Sequence, residues 1–433
     1  MRVLAALAAV TAAALLPRAP LGIDVPLVAV LVAATVATSV RRSLDAALFG
    51  SLAVALAFMP AVLDAGWVAA VDIAAACVLA TVAVAGPRLV APLAPFRALS
   101  GVPEIVPPVP HRSAPVLRGL AFGCALVLPF GALFWTADAA FAEIGRSAPI
   151  PSLSSLPARL AVFALVLFGA LALALAAKRV FTDPTLPTPK LGLSEWAIPL
   201  VLLDALVLAF VVVQVTVLFG GRDHVLETAG LTYSEYARQG FWQLIAAATL
   251  TLVVVGTAVR AAEVRRRRDE ILLKALLGAL CVLTIVTVAS TVHRLGLYED
   301  AFGLTRSRLA AETFSWGLGG LFVLVLLAGC VGVVRAQVAR IALAGATLGL
   351  LAFSISNPDG RIAQRNVDRW RETGDLDVAY VQELSADAVP ALSALPEPLR
   401  TEILAPYGER LAKGEPWTSA NYGRHRAREA LER

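Results

Sequence analysis

The sequence predicts an all-α polytopic membrane protein, in which a bundle of about eleven spanning helices precedes a small helical carboxyl-terminal segment. Three observations indicate this class. Of the 433 residues, 58% are hydrophobic and 16% are charged, and the mean hydropathy is +0.76. The apolar residues come in long runs between polar breaks, and arginines concentrate in every second gap between the runs. Since one soluble core cannot hide so much apolar surface, most of it must face lipid.

The runs themselves predict the spans. A spanning helix needs about 20 apolar residues, and fewer where other helices surround it. The runs that fit, in chain order, are residues 3–16, 25–40, 44–59, 66–85, 118–137, 160–177, 196–219, 241–259, 271–292, 316–334 and 341–356. No small-x-small cleavage pattern leads from the first run into a soluble domain, so we interpret it as a retained helix and not as a signal peptide.

The gaps predict the orientation. One set of alternate gaps is rich in arginine, beginning with Arg41 and Arg42 and ending with Arg335 and Arg340. Basic residues favour the cytoplasmic side. An odd number of spans then puts the amino terminus in the cytoplasm and the carboxyl terminus outside. Arginine outnumbers lysine and alanine is abundant, which favours a bacterial cytoplasmic membrane.

Composition divides the chain into four predicted regions. Residues 1–86 form an amino-terminal membrane subdomain of about four spans, and residues 87–117 form a proline-rich cytoplasmic linker. Residues 118–356 form the main bundle of about seven spans, and residues 357–433 form a helical extracytoplasmic tail. Proline lacks the backbone donor that a helix needs, which favours an extended linker.

Capping residues predict the helices of the tail. Asn357 can cap the first helix, Pro358 suits its first position, and Gly374 ends it. Asp375 is then expected to cap a second helix, which continues through Leu384.

The tail is short for an independent core. We therefore expect the apolar side chains of Ile362, Trp370 and Tyr380 to pack on two outer loops, residues 233–238 and 298–308.

Polar side chains of these two loops form the candidate outer-surface binding site. The residues are Tyr233, Glu235, Tyr236, Arg238, Tyr298, Arg306 and Arg308. Arginine can bind a lipid headgroup, a glycan phosphate or a peptide carboxylate through two parallel hydrogen bonds. The alternative is that these groups only fix the helices, as interfacial tyrosines and loop salt bridges do.

Three polar residues lie inside predicted spans. Asp72 and Asp204 are carboxylic acids in apolar runs, and Gln214 shares the run of Asp204. An ionised carboxylate at mid-membrane costs about 2.5–3.5 kcal/mol on insertion scales, which makes each aspartate a functional candidate. A proton or cation pathway is one interpretation, and hydrogen bonding between helices is the other.

Other motifs point to no metal, cofactor or nucleic acid. The cysteines all lie in apolar runs, without CxxC spacing: Cys77, Cys124, Cys281 and Cys330. No histidine pair has the helical spacing of a metal site. The net charge of +5 comes from basic residues at helix ends, where they set topology and attract lipid headgroups, so membrane lipids are the expected partners.

Several segments resemble an uncharacterised bacterial family of inner-membrane proteins. They are residues 134–141, 231–242, 297–308, the stretch from Asn357 onward, and within it residues 377–392 and 417–428, the last reading Trp-Thr-Ser-Ala-Asn-Tyr-Gly-Arg-His-Arg-Ala-Arg. The family is the domain of unknown function numbered 4173, with a relative numbered 4153. The resemblance covers approximately residues 118–433 and leaves the first four spans outside. It implies a multipass bacterial membrane protein and assigns no residue a role.

Three function hypotheses follow. The first is a membrane protein of unknown biochemical activity, whose outer loops and tail sense or assemble envelope components by binding a lipid, a glycan or a protein. The second is a proton- or ion-coupled transporter that uses Asp204 and Asp72. The third is an envelope glycosyltransferase acting on a lipid-linked sugar, which is disfavoured by a first outer loop whose only acid is Asp24. The sequence leaves open whether the protein is an enzyme.

Overall fold

The computed structural model describes residues 2–16, 20–40, 43–87, 156–177, 190–219 and 241–432. Within these ranges every regular element is a helix, which confirms the all-α membrane bundle. Ten of the predicted spans are helical here, and the one at residues 118–137 lies outside the described residues. So does the predicted linker, except for its first residue.

The described residues form two compact units. The first unit comprises Met1–Pro184, Ser385–Pro390 and Leu404–Arg433, and the second comprises Thr185–Leu384 and Ala391–Ile403. These units follow packing, whereas the four regions predicted above follow composition, so that earlier division stays a prediction.

The described residues of the first unit form five apolar helices. They are α1 (Arg2–Leu15), α2 (Asp24–Ala37), α3 (Leu44–Val62), α4 (Gly66–Ala85) and α5 (Leu156–Ala176). Helix α1 packs on α2 and α5, α2 packs on α3, and α3 packs on α4. Alanines of α1, including Ala5 and Ala8, are completely buried. Such small residues let membrane helices approach closely without a large apolar core.

The second unit is built around one long helix. Its membrane helices are α6 (Leu193–Phe219), α7 (Phe241–Ala261), α8 (Arg267–Phe302), α9 (Arg306–Cys330) and α10 (Gly332–Ile355). Helix α8 packs against α6, α7 and α9, and α10 packs on α9. Leu280 of α8 and Phe322 of α9 are fully buried in this core.

Seven of the described helices are long and apolar enough to cross a membrane. In the apolar 18-residue stretch of each of these helices, at most 39% of the residues are buried inside the protein. Because the remaining apolar side chains lie on the surface, they fit a hydrocarbon environment and not water.

The predicted ends of the later spans were wrong. Helix α8 was expected to end at residue 292, yet it contains 36 residues, about 54 Å at 1.5 Å per residue. Helix α9 begins ten residues before the predicted start at residue 316. Hydropathy marks where lipid lies, whereas backbone hydrogen bonding continues through polar residues until a breaker such as Gly303, which has φ +76°.

The described part of the tail contains five α-helices. They are α11 (Pro358–Thr373), α12 (Val378–Gln382), α13 (Val389–Leu392), α14 (Leu399–Leu411) and α15 (Tyr422–Leu431). Two 3₁₀ turns, Ala386–Ala388 and Trp417–Ser419, lie between them. Of the five helices, α11, α12 and α15 each begin at a capping side chain. The predicted cap at Asn357 is confirmed, since its Oδ1 accepts the N–H of Gly360 at 3.0 Å. Gly374 ends α11 with φ +77°, as predicted.

The predicted cap of the second tail helix was wrong. Asp377, and not Asp375, accepts the N–H of Tyr380 at 3.0 Å. Asp375 instead lies 3.8 Å from Arg369. Helix α12 consequently starts later and ends at Gln382, before Leu384.

Candidate functional site

Two polar clusters hold the tail against the ends of membrane helices, one in each unit. We call them the Arg306 cluster, comprising Arg306, Asp359 and Tyr380, and the Arg424 cluster, comprising Asp64, Asp387, Glu415 and Arg424.

The Arg306 cluster lies at the first residue of α9. The Arg306 guanidinium pairs with the Asp359 carboxylate twice, with Nε 3.0 Å from Oδ1 and Nη2 2.5 Å from Oδ2. Asp359 is completely buried, and it lies in the first turn of α11, where the helix dipole favours an anion. The backbone N–H of Arg306 donates to the Tyr380 hydroxyl at 2.7 Å. Burial raises the pKa of that hydroxyl, so it stays neutral at ordinary pH.

The turn before α9 is fixed by neighbouring residues. Arg308 donates to the carbonyl oxygens of Gly303 and Phe302 at the end of α8, and its guanidinium lies 4.3 Å from the centre of the Tyr298 ring. Asn366 of α11 donates to the Leu304 carbonyl at 2.8 Å. Together with the contacts of Arg306 to Asp359 and Tyr380, the Asn366 bond confirms the predicted docking of the tail on the segment 298–308. The other predicted docking loop, residues 233–238, lies outside the described residues.

The candidate outer-surface residues therefore divide into two groups. Tyr298, Arg306 and Arg308 are engaged with other parts of the protein, which favours the interpretation that they fix the turn and the tail. A role for them in ligand binding stays a prediction. The other four lie outside the described residues: Tyr233, Glu235, Tyr236 and Arg238.

The Arg424 cluster is centred on an arginine of α15 whose side chain is only 4% exposed. Its Nη1 lies 2.5 Å from Asp64 Oδ1, and its Nε lies 3.0 Å from Glu415 Oε2. Its Nη2 donates to the carbonyl oxygens of Leu21, at 3.0 Å, and Ser419. A guanidinium so buried needs this full set of partners, because an unpaired charge in the interior is costly.

Asp64 and Asp387 cap each other's segments within the Arg424 cluster. Asp387 Oδ2 accepts the backbone N–H groups of Asp64 and Ala65, at 2.7 and 2.9 Å, where α4 begins. In return, Asp64 Oδ2 accepts the N–H of Ala386 at 3.1 Å. A residue of the tail thus supplies the cap that α4 lacks in its own sequence.

The buried position of Asp387 disfavours the charged form of its carboxyl. Burial raises the pKa of its carboxyl to about 6, and the negative charge of Asp64 adds to the increase. Hydrogen bonds from Ser385 and from the backbone amides of Asp64 and Ala65 act in the opposite direction. Desolvation prevails because the side chain is almost fully enclosed.

The backbone around Ala420 packs directly against the turn between α1 and α2. The N–H of Ile23 donates to the Ala420 carbonyl at 3.2 Å, and Asn421 donates to the Pro60 carbonyl at 2.8 Å. A Cβ at Gly22 would collide with the backbone of Ser419. Glycine is therefore required where α1 leads into α2.

Sequence reasoning missed the Arg424 cluster. Asp64 was not predicted to have a role, and Arg424 was included only within the segment 417–428. The residues are separated by up to 360 positions in the chain, so no local spacing connects them. A usable signal was Asn421, which caps α15 by accepting the N–H of Arg424 at 3.0 Å and so marks the helix that presents the arginine.

The intramembrane polar residues lie in separate units. Asp72 is fully buried in α4 of the first unit. Asp204 lies in α6 of the second unit, where both carboxylate oxygens are buried without a hydrogen-bond partner among the described residues. Gln214 belongs to α6, but its side chain lies outside the description.

No group of three or more histidine, cysteine, aspartate or glutamate side chains in the described part of the chain could hold a metal ion. Cys77, Cys281 and Cys330 are free thiols there. Cys124 lies outside the described residues.

Comparison with known proteins gives one match. A family model described as a domain of unknown function (DUF4153) matches residues 4–395. The match confirms the family numbered 4153, whereas the resemblance to the one numbered 4173 stays a prediction. It also corrects the predicted extent, because it includes the first four spans and ends at residue 395, not at residue 433. No curated protein and no solved structure matches the chain.

Proposed function

We infer that this chain, which belongs to the DUF4153 family, is an integral membrane protein that holds its tail as a rigid binding surface on the ends of its membrane helices. The family assigns no activity, so the proposal depends on this chain's own geometry. We propose that the surface senses or assembles components of a bacterial envelope by binding a lipid, a glycan or a protein.

The burial of Arg424 is the observation that carries the proposal. A tail needed only as a tether would not require a guanidinium that is 4% exposed and bonded to four separate groups. Buried polar networks can select one arrangement among several of similar energy, which we take as their role here. A surface held in one arrangement binds with a smaller loss of conformational entropy.

The contacts of the tail also support the proposed topology, with the amino terminus in the cytoplasm and the carboxyl terminus outside. In the first unit the tail meets the turns that follow α1 and α3. In the second unit it meets the turn that follows α8. Each of these turns lies in one of the alternate gaps that the charge bias assigns to the outside.

Photocrosslinking in cells tests the binding surface. A photoreactive amino acid at Trp417, which is 73% exposed, should give a discrete adduct with an envelope component. The adduct should weaken at least about fivefold when Arg424→Ala releases the tail, and it should persist with Arg426→Ala. Arg426 is an exposed arginine of the same helix, so it controls for charge.

Two outcomes contradict the proposal. One is the absence of any adduct from exposed tail positions in the wild-type protein. The other is an adduct of equal strength in wild type and Arg424→Ala, which would mean that the fixed arrangement is unnecessary.

Asp204 supports a second candidate, the proton- or ion-coupled transporter. A carboxyl whose two oxygens are buried without a hydrogen-bond partner among the described residues is expected to exchange a proton more readily than one held in a salt bridge. Helix α6, which carries Asp204, packs on α8 within the second unit. If this carboxyl carries the proton, Asp204→Asn should abolish proton flux into liposomes while preserving the folded protein, and unchanged flux would remove the candidate.

The glycosyltransferase hypothesis gains no comparable support. Asp24, the acid that its first outer loop would offer, accepts the N–H groups of Gly22 and Val25 at 2.7 and 2.9 Å. Its Oδ1 is thus engaged with the backbone at the first residue of α2.

A further inference from the structure

An apolar groove opens on the surface of the first unit between α1, α2 and α3. Helix α2 provides most of its wall through Pro26, Leu27, Val30 and Leu31, while Thr11 and Phe58 close the sides. The exposed wall is wholly apolar. A groove of this composition excludes ligands that need several hydrogen bonds, and it suits a hydrocarbon chain.

One end of the groove adjoins the tail segment around Ala420. Ile23, which also lines the groove, donates its N–H to the Ala420 carbonyl at 3.2 Å. Trp417 and Tyr422 lie on either side of that segment and are 73% and 57% exposed. Tryptophan and tyrosine with an exposed polar end favour the depth of lipid headgroups and ester groups.

The short helices place this end at the membrane surface. Helices α1 and α2 contain 14 residues each, about 21 Å in length, against a hydrocarbon thickness of about 30 Å. Lipids beside such helices must come closer to the helix ends. The groove runs from Ile23 to Leu31, about 12 Å along α2, so its tail end lies near the headgroups.

We propose that this groove binds one acyl chain of a membrane phospholipid, whose glycerol and headgroup lie against Trp417 and Tyr422. A polymethylene chain needs no hydrogen bonds, whereas an extended peptide in the groove would leave its backbone unsatisfied. The indole N–H and the phenol can then donate to ester or phosphate oxygens. A lipid site here would stand even if the tail bound no other envelope component.

Retention of phosphatidylglycerol with deuterated acyl chains tests the site. The detergent-purified full chain is incubated with this lipid, washed, and analysed by native mass spectrometry. We expect one bound lipid per chain in the wild type and at least about a fivefold loss in Val30→Trp, whose indole would fill the groove. Val10→Trp is the matched control, because Val10 is an exposed valine of α1 outside the groove, and it should retain the lipid.

Three outcomes overturn the proposal. They are unchanged retention in Val30→Trp, equal loss in both tryptophan variants, and a wild-type dimer that Val30→Trp dissociates, which would make a second copy the occupant.

A fluorescence measurement avoids any change to the groove. Phosphatidylglycerol brominated near the glycerol end of its chains should quench the emission that is lost in Trp417→Phe. Emission from Trp417 that this lipid does not quench would also overturn the proposal, because the headgroup would then lie elsewhere.

Discussion

Each of the two clusters contains an arginine–aspartate ion pair between the tail and the end of a membrane helix, but the tail provides the arginine in one cluster and the aspartate in the other. In the Arg424 cluster the tail provides the arginine and the turn before α4 provides Asp64. In the Arg306 cluster the start of α9 provides the arginine and the tail provides Asp359. The arginine is 4% exposed in the first case and 33% exposed in the second. Since water screens a charge that is one-third exposed, the two clusters should differ in how strongly they stabilise the tail.

Removing the buried arginine should have the largest effect. Arg424→Ala leaves Asp64 and Glu415 without the guanidinium that joins them, and breaking a buried pair in this way costs about 3–5 kcal/mol. We expect that decrease in the free energy of unfolding, measured by reversible unfolding in mixed micelles. Arg426→Ala should change it by less than about 0.5 kcal/mol. Equal effects of the two variants would contradict the importance assigned to burial.

The Arg306 cluster should respond less. Arg306→Ala removes two charge-assisted hydrogen bonds to Asp359, for which we expect a loss of about 2–3 kcal/mol in the same assay. Water can reach the space left by a partly exposed side chain. Arg371→Ala is the control, because it breaks an exposed pair with Asp368 expected to contribute less than about 0.5 kcal/mol. A loss for Arg306→Ala larger than that for Arg424→Ala would reverse the comparison.

The Arg424 cluster should also depend on pH through Asp387. Its folded-state pKa of about 6 lies above the ordinary value of 3.8, so its contribution to stability is fully present below about pH 4 and is lost as pH rises through about 6. We expect stability to fall by on the order of 1–2 kcal/mol over this range, measured by unfolding at several pH values. Asp387→Asn should flatten this part of the profile, and an unchanged slope in that variant would assign the dependence to another group.

The smallest expected effect lies at the edge of the Arg306 cluster. Tyr298→Leu removes the ring beneath the Arg308 guanidinium but leaves the hydrogen bonds of Arg308 to Gly303 and Phe302 in place. A cation–π contact at a partly exposed site contributes about 0.5–1 kcal/mol. The expected result is a loss of that size in the unfolding assay. A loss above about 2 kcal/mol would show that Tyr298 does more than support the arginine.

The elements predicted correctly depend on interactions between neighbours in the chain. Asn357 caps α11 through a bond to Gly360, three residues away, and Gly374 ends that helix by adopting a positive φ. Both are visible in a short stretch of sequence. The errors at residues 292 and 316 have the opposite origin, because hydropathy reports the surroundings of a helix and not the residue at which its hydrogen bonds stop.

The sequence by itself determined the membrane class, most of the spans, the first cap of the tail and the charge bias that underlies the proposed orientation. Each follows from composition or from contacts within about four residues. Only the tertiary structure decided which acids meet Arg424. Asp64 and Arg424 are 360 residues apart, and the chain has 32 acidic and 37 basic residues whose pairings local spacing cannot select. The choice is made by packing, since only helices that meet can bring their end groups within hydrogen-bonding distance.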